Sequence, residues 1–193
     1  FEMFCQTQSA WLADYALFSA LKQTQAHDPW WAWPAALRDR DPVALAAARE
    51  RLQADIEQIA FEQFIFARQW QAIKCYANER DILLFGDMPI FVALDSADVW
   101  ARREHFLLDE TGQPTVVAGV PPDYFSATGQ LWGNPHYDWV RMQADDFAWW
   151  RGRMATQLEQ FDLIRIDHFR GFEAYWSIPM GEATAINGEW VKA

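Results

Sequence analysis

The chain has 193 residues and a formal net charge of −11 at pH 7, which argues against nucleic acid and anionic membrane as partners. A hydrophobic fraction of 51% beside 22% charged residues is ample for a core and excludes a disordered chain. The length suits one domain or part of a larger one, and two cysteines, Cys5 and Cys75, build neither a disulfide framework nor a metal set.

Ser9 can cap a helix over about residues 10–25, in which Leu12, Tyr15, Ala16 and Ser19 follow helical spacing. The run His27-Asp28-Pro29-Trp30-Trp31 ends it. Of the twelve tryptophans, most belong in the core, but Trp30, Trp31, Trp33 and Trp132 stand among Pro, Gly, Asp and Asn. Exposed rings in such loops suit stacking on sugars, which an acidic protein tolerates better than nucleic acid. Asp41-Pro42 is a second helix start, with Asp41 as cap and Pro42 in the first turn. Residues 43–78 read as helical throughout, as two helices or one, with the second half the more buried.

Ile82-Leu83-Leu84-Phe85-Gly86-Asp87-Met88-Pro89 follows, and a short apolar run after a long helix predicts a parallel strand buried on both faces. Pro89 cannot donate to a ladder, so this strand ends near Asp87. Residues 96–101 read as a short helix, and residues 106–109 with 115–118 as a hairpin around Glu110-Thr111-Gly112. The Gly- and Pro-rich aromatic stretch from Gly119 to Pro135 is predicted to be one long loop, read as a functional lid over the alternative of an ordinary surface excursion. Helices are predicted from 137 to 142 and from 145 to 160, then a second buried strand over 162–169. A further strand segment is expected over 172–179, and a turn between short extended pieces over 185–190.

In that second strand Leu163, Arg165 and Asp167 share one face, because side chains alternate with period two. Residue types alone leave two readings open: a site, or a buried ion pair that only fixes packing. Asp87 repeats the pattern, a carboxylate at the C-terminal end of an apolar strand, and in a (β/α)₈ barrel that end builds the active site. The two aspartates lie 80 residues apart, where one strand–helix unit takes only roughly 30, so an insertion is expected between them.

Three blocks together resemble the 4-α-glucanotransferases of the amylomaltase or disproportionating-enzyme type, relatives of the α-amylases. They are Gly86 to Ala93 with Asp95 to Trp100, the stretch Gly119 to Tyr137, and Arg165-Ile166-Asp167-His168-Phe169-Arg170-Gly171. Residues 11–18 and 172–176 are similar to that family as well. The resemblance implies an α/β fold that is part of a (β/α)₈ TIM barrel, with a helical and loop insertion between two barrel strands. In that frame residues 1–193 form one partial catalytic domain. Its parts are a helical segment 9–80, a barrel strand near 82–88, an inserted subdomain and substrate loop over about 95–136, helices over 137–160 and a barrel strand over 162–168.

The resemblance implies a retaining transfer between α-1,4-glucans such as maltooligosaccharides and amylose. Asp167 matches the family's nucleophile and Arg165 the arginine that supports it. Asp87 matches a substrate-binding aspartate, and His168 is positioned to touch sugar hydroxyls. Asp123, Tyr124, Phe125, Ser126, Trp132 and Asn134 fall on the family's loop over the glucan groove. The chemistry fits: a covalent glycosyl–enzyme needs an ionised carboxylate, which a neighbouring arginine favours. An aromatic loop can hold an acceptor and exclude water.

The family's general-acid glutamate and its further aspartate find no match before Ala193; Glu173, Glu182 and Glu189 are the only glutamates after Asp167. The chain is therefore expected to be an internal piece, with little or no transferase activity alone. A hydrolase of the same clan and a non-catalytic glucan-binding module are the alternatives. No phosphate-cradling glycine loop occurs, and His27, His105, His136 and His168 lack ligand spacing, so neither cofactor nor metal is expected. No signal peptide and no apolar run of ~18 residues occur, so a cytoplasmic protein without membrane association is expected.

Overall fold

A computed structural model describes residues 1–193 as a mixed α/β structure. In chain order it contains α1 (Glu2–Thr7), α2 (Leu12–Thr24), α3 (Ala35–Arg38), α4 (Pro42–Arg51), α5 (Gln53–Asn78), β1 (Phe85–Met88) and α6 (Ala97–Ala101). Then come β2 (Val116–Val120), β3 (Gln130–Pro135), α7 (Trp139–Ala144), α8 (Ala148–Gln160), β4 (Leu163–Ile166), β5 (Ala174–Pro179) and β6 (Glu189–Lys192). Short 3₁₀ turns occur at Trp30–Ala32, Arg103–His105 and Phe169–Phe172. No helix is long and apolar enough to cross a membrane.

The chain divides into two compact units. The first comprises Phe1–Gly86, Asp95–Ala101 and Gly152–Ile164; the second comprises Asp87–Leu94, Arg102–Arg151 and Arg165–Ala193.

In the first unit α2 packs on α5 and α6, burying Leu12, Ala16, Leu17, Phe18, Ala20 and Leu21. Local signals explain α4: Asp41 accepts a hydrogen bond from the Ala44 N–H and Pro42 opens the first turn. They fail at α2, which starts at Leu12 after Trp11 without a side-chain cap, so Ser9 does not cap it. Residues 43–78 form two helices, broken at Leu52. The second half of residues 43–78 is not the more buried: Leu45, Ala48, Leu52, Ile59 and Ala60 are buried in the first half, whereas Phe66, Ile73 and Tyr76 stand exposed in the second.

Trp30 and Trp33 are core residues, contrary to their loop-like sequence context. The 3₁₀ turn folds them back, and Trp33 meets Phe18 and Trp100 at ring-centroid distances of 5.4 and 5.7 Å. Burial costs less where an indole finds an acceptor: Trp33 Nε1 donates to the Asp28 carbonyl at 3.0 Å and Trp100 Nε1 to the Leu37 carbonyl at 3.1 Å. Lys22 pairs with Asp95, whose Oδ1 also accepts from the Trp30 N–H at 3.4 Å.

The same unit anchors the starts of β1 and β4. Asp162 Oδ2 accepts from the Leu84 N–H at 2.8 Å and from Asn78 Nδ2 at 2.9 Å, and these bonds hold its carboxyl below the usual range. Lys74 Nζ donates to the carbonyls of Leu158, Glu159 and Phe161 at 3.3, 3.2 and 3.1 Å, satisfying the last turn of α8. The strands run parallel: the Leu163 N–H donates to Leu84, and four residues later the Asp167 N–H donates to Met88. β1 is not buried on both faces, since Gly86 and Met88 are buried but Phe85 and Asp87 are exposed.

In the second unit an antiparallel sheet runs in the order β3-β2-β5-β6. The expected hairpin shrinks to bridges between Phe106 and Tyr137 and between Leu108 and Pro114, because β2 pairs with β3 and β5 instead. The long loop is shorter than its sequence suggests, for Gly119 and Val120 belong to β2 and Gln130–Pro135 form β3. Gly119 makes that pairing possible: a Cβ there would sit 2.2 Å from the Gln130 carbonyl oxygen and 2.5 Å from Ile178 Cδ1. Backbone cannot yield as a flexible side chain can, so Gly119→Ala should cost about 3 kcal/mol by overpacking. A fall in the urea midpoint checks this; an unchanged midpoint would refute the close approach.

Candidate active site

Asp87 lies near the C-terminal end of β1, Arg165 within β4, and Asp167 one residue beyond β4. Neighbouring strands stand closer (~4.8 Å) than residues two apart on one strand (~6–7 Å), so the tighter partner of Arg165 comes from across the ladder. Arg165 Nε donates to Asp87 Oδ1 at 3.0 Å and Nη2 pairs with Asp87 Oδ2 at 2.9 Å, a two-pronged fork. The same Nη2 lies 3.4 Å from Asp167 Oδ1. One guanidinium therefore joins the two carboxylates, and the hydrogen bond to Asp87 raises the Arg165 pKa, aided by both charges.

These side chains are 55%, 59% and 66% exposed for Arg165, Asp87 and Asp167. That excludes the buried packing pair that residue types left open. Exposed pairs contribute at most about 1 kcal/mol to stability, so the fork orients rather than stabilises.

His168 follows with φ 50° and ψ 44°, a left-handed conformation that ends the strand and sends the chain into the Phe169–Phe172 turn. Histidine tolerates it better than most residues, at a cost of about 1 kcal/mol. Its ring stands edge-on to Trp132, centroids 5.1 Å apart. Burial lowers its pKa, with Asp167 opposing and Arg170 assisting, so the imidazole is neutral at pH 7. Its Nε2 is shielded and makes no hydrogen bond.

Trp132 lies on β3, beside Phe91 at 6.3 Å, and its Nε1 donates to Gln130 Oε1 at 3.0 Å. Gln130 escaped the sequence reading, although its position two before Trp132 puts both on one strand face. Asn134 is on the same strand, and its Nδ2 donates to the Val92 carbonyl at 2.8 Å.

Between β2 and β3 the loop is built by its own polar side chains. Asp123 Oδ1 accepts from the N–H groups of Phe125 and Ser126 at 2.9 and 2.8 Å, and Ser126 Oγ donates to the Gly129 carbonyl at 2.8 Å. This turn presents Tyr124 and Phe125, 96% and 92% exposed, as an edge-to-face pair at 5.5 Å. The structure thus gathers Asp87, Arg165, Asp167, His168 and Trp132 by direct contacts; Asp123 and Ser126 spend their hydrogen bonds within the loop. No three His, Cys, Asp or Glu side chains are arranged to hold a metal ion.

A family model described as 4-alpha-glucanotransferase matches residues 1–193. A 4-alpha-glucanotransferase of Synechocystis sp. is 56% identical over 194 residues, covering 100% of this chain and 38% of that protein. The 4-alpha-glucanotransferase of Thermus thermophilus is 54% identical over 193 residues, covering 100% of this chain and 39% of its own length. The chain thus spans about two fifths of these curated relatives. Among solved structures, an amylomaltase from Streptococcus agalactiae in complex with acarbose superposes with a TM-score of 0.94 at 41% identity, covering 100% of this chain and 39% of that one.

Proposed function

The chain belongs to the 4-alpha-glucanotransferase family, and on that premise we propose that the full-length protein moves an α-1,4-glucan segment onto the 4-hydroxyl of an acceptor glucan or glucose through a covalent glycosyl–enzyme. The observation that carries this reading is one guanidinium joining two carboxylates at the C-terminal ends of two parallel strands. In a (β/α)₈ barrel that end is the catalytic face, and β1 and β4 fit two adjacent strands of such a barrel.

Asp167 is the nucleophile. Its carboxylate attacks the anomeric carbon, the glycosidic C–O bond breaks, and the leaving oxygen takes a proton from a carboxylic acid. The acceptor 4-hydroxyl then attacks the same carbon, its proton returning to that carboxylate and Asp167 leaving. Arg165 keeps Asp167 charged and aimed. Asp87, held in the fork, binds a donor sugar hydroxyl, and neutral His168, one residue beyond Asp167, touches another through its ring edge away from the shielded Nε2. The partner acid must lie ~5–5.5 Å from the nucleophile in a retaining enzyme. It is not Asp87, whose two oxygens both engage Arg165, and we assign it to residues outside these 193.

Tyr124 and Phe125, with Trp132, form an aromatic cover for the acceptor, which favours a sugar hydroxyl over water. Asp123 and Ser126 hold that cover in shape. The test is maltotriose with the full-length protein. Transfer yields glucose together with longer maltooligosaccharides, with reducing ends conserved. Glucose release with a rise in reducing ends would indicate a hydrolase, and no turnover would leave only glucan binding.

A further inference from the structure

The five residues after Asp87 have no regular secondary structure beyond Met88, yet they are gripped along their length. The Met88 carbonyl accepts from the Asp167 N–H at 3.1 Å. The Ile90 carbonyl accepts from the buried Tyr137 hydroxyl at 2.7 Å. The Val92 carbonyl accepts from Asn134 Nδ2 at 2.8 Å. The Phe91 ring stacks on Tyr137 at 5.8 Å, and Ile90 Cδ1 lies where a Cβ at Gly171 would be only 2.6 Å away.

We propose that Asn134 and Tyr137 are positioning residues, which hold the strap 88–92 so that Asp87 meets Arg165 and Arg165 in turn meets Asp167. The inference rests on the reading of Asp167 and Asp87 as the groups that act on glucan. Asp87 is the residue next to the strap, and its fork to Arg165 is exposed and too weak to fix itself. The β1–β4 ladder holds the backbone on either side of Asp87 up to Met88, and the backbone that follows adds the second constraint on it. Pro89 cannot donate a hydrogen bond to a ladder, so side chains from elsewhere contribute to fixing this segment. Both grips come from residues 134–137, and both donate to alternate carbonyls of the strap. Asn134 then acts through Val92 rather than by touching sugar.

The test compares Tyr137→Phe, Asn134→Ala and the double variant in the full-length protein, with maltotriose as substrate at a temperature where tryptophan fluorescence reports each as folded. Tyr137→Phe removes a single oxygen and keeps the ring. The proposal expects kcat to fall at least tenfold in each single variant with KM within about threefold. It expects the double variant to lie close to the worse single one, since two grips on one strap are not independent. A lowered melting temperature with kcat unchanged would mean a structural role only and overturn it. A raised KM at constant kcat for Asn134→Ala would make Asn134 a glucan contact and also overturn it. Crystal structures of the variants judge the strap apart from catalysis: a broken Asp87–Arg165 fork supports it and an intact fork overturns it. Absence of transfer by the unaltered protein would instead strike the proposed function.

Discussion

Asp167→Asn in the full-length protein should lower glucan transfer by about 10⁴-fold, roughly 5 kcal/mol of barrier at 1.36 kcal/mol per tenfold. The amide keeps the size and the left-handed turn that follows at His168, and the backbone N–H of residue 167 still reaches Met88. What it loses is the anion. A neutral amide oxygen cannot form the covalent glycosyl–enzyme, and Arg165 is left facing one carboxylate instead of two. Asp87→Asn should cost less, on the order of 10²-fold, because its amide oxygen still accepts one Arg165 hydrogen bond and no bond to carbon is at stake. A slow glycosyl fluoride supplies the direct readout: mass spectrometry should find the sugar on the peptide containing Asp167. Residual activity above a tenth, or a label on another carboxylate, would remove Asp167 from the nucleophile's role.

The parts of this site legible in the sequence are those fixed by local rules. Period-two alternation put Arg165 and Asp167 on one face, and the exposed Leu163 and Arg165 against half-buried Ile164 and Ile166 bear that out. Asp41-Pro42 opens a helix because cap and first turn are encoded within four residues. The fork between Arg165 and Asp87 was not legible, since it depends on which strands become neighbours across 78 residues of chain. Trp30 and Trp33 misled for a related reason. Their polar and proline-rich context is genuine, but burial is decided by tertiary packing, for Trp33 by Phe18 of α2 and Trp100, which lie elsewhere in the sequence. β3 hid inside an apparent loop because Gly133, at φ 79°, and Pro135 disguise a strand whose pairing is fixed by β2. The grips of Asn134 and Tyr137 target carbonyl groups, and every residue has one, so no sequence pattern marks them.

His136 should make the second unit sensitive to acid in a way its neighbours do not. The side chain is fully buried between Phe91, at 5.4 Å, and Tyr175, at 4.2 Å. Neither ring nitrogen makes a well-formed hydrogen bond, and burial pushes its pKa from 6.5 down to about 4, with a backbone group of Val117 opposing only in part. The folded state thus resists the proton while the unfolded state takes it below pH 6.5. Between those values the unfolded state binds more protons, so stability rises with pH. It is undiminished by this group above about pH 6.5 and falls as pH drops toward 4, by about 3 kcal/mol over the window at 1.36 kcal/mol per unit. Tyr175, whose own pKa is raised by burial first and by Asp138 second, stays neutral throughout and offers no compensating charge. His136→Leu replaces two unpaired nitrogens with apolar volume, which should leave stability at pH 7 equal or higher. Amide exchange in peptides spanning 116–120 and 174–179, corrected for intrinsic rates, should lose protection between pH 6.5 and 4.5 in the unaltered protein, and much less in the variant. Equal losses in both would show that His136 does not carry the acid response.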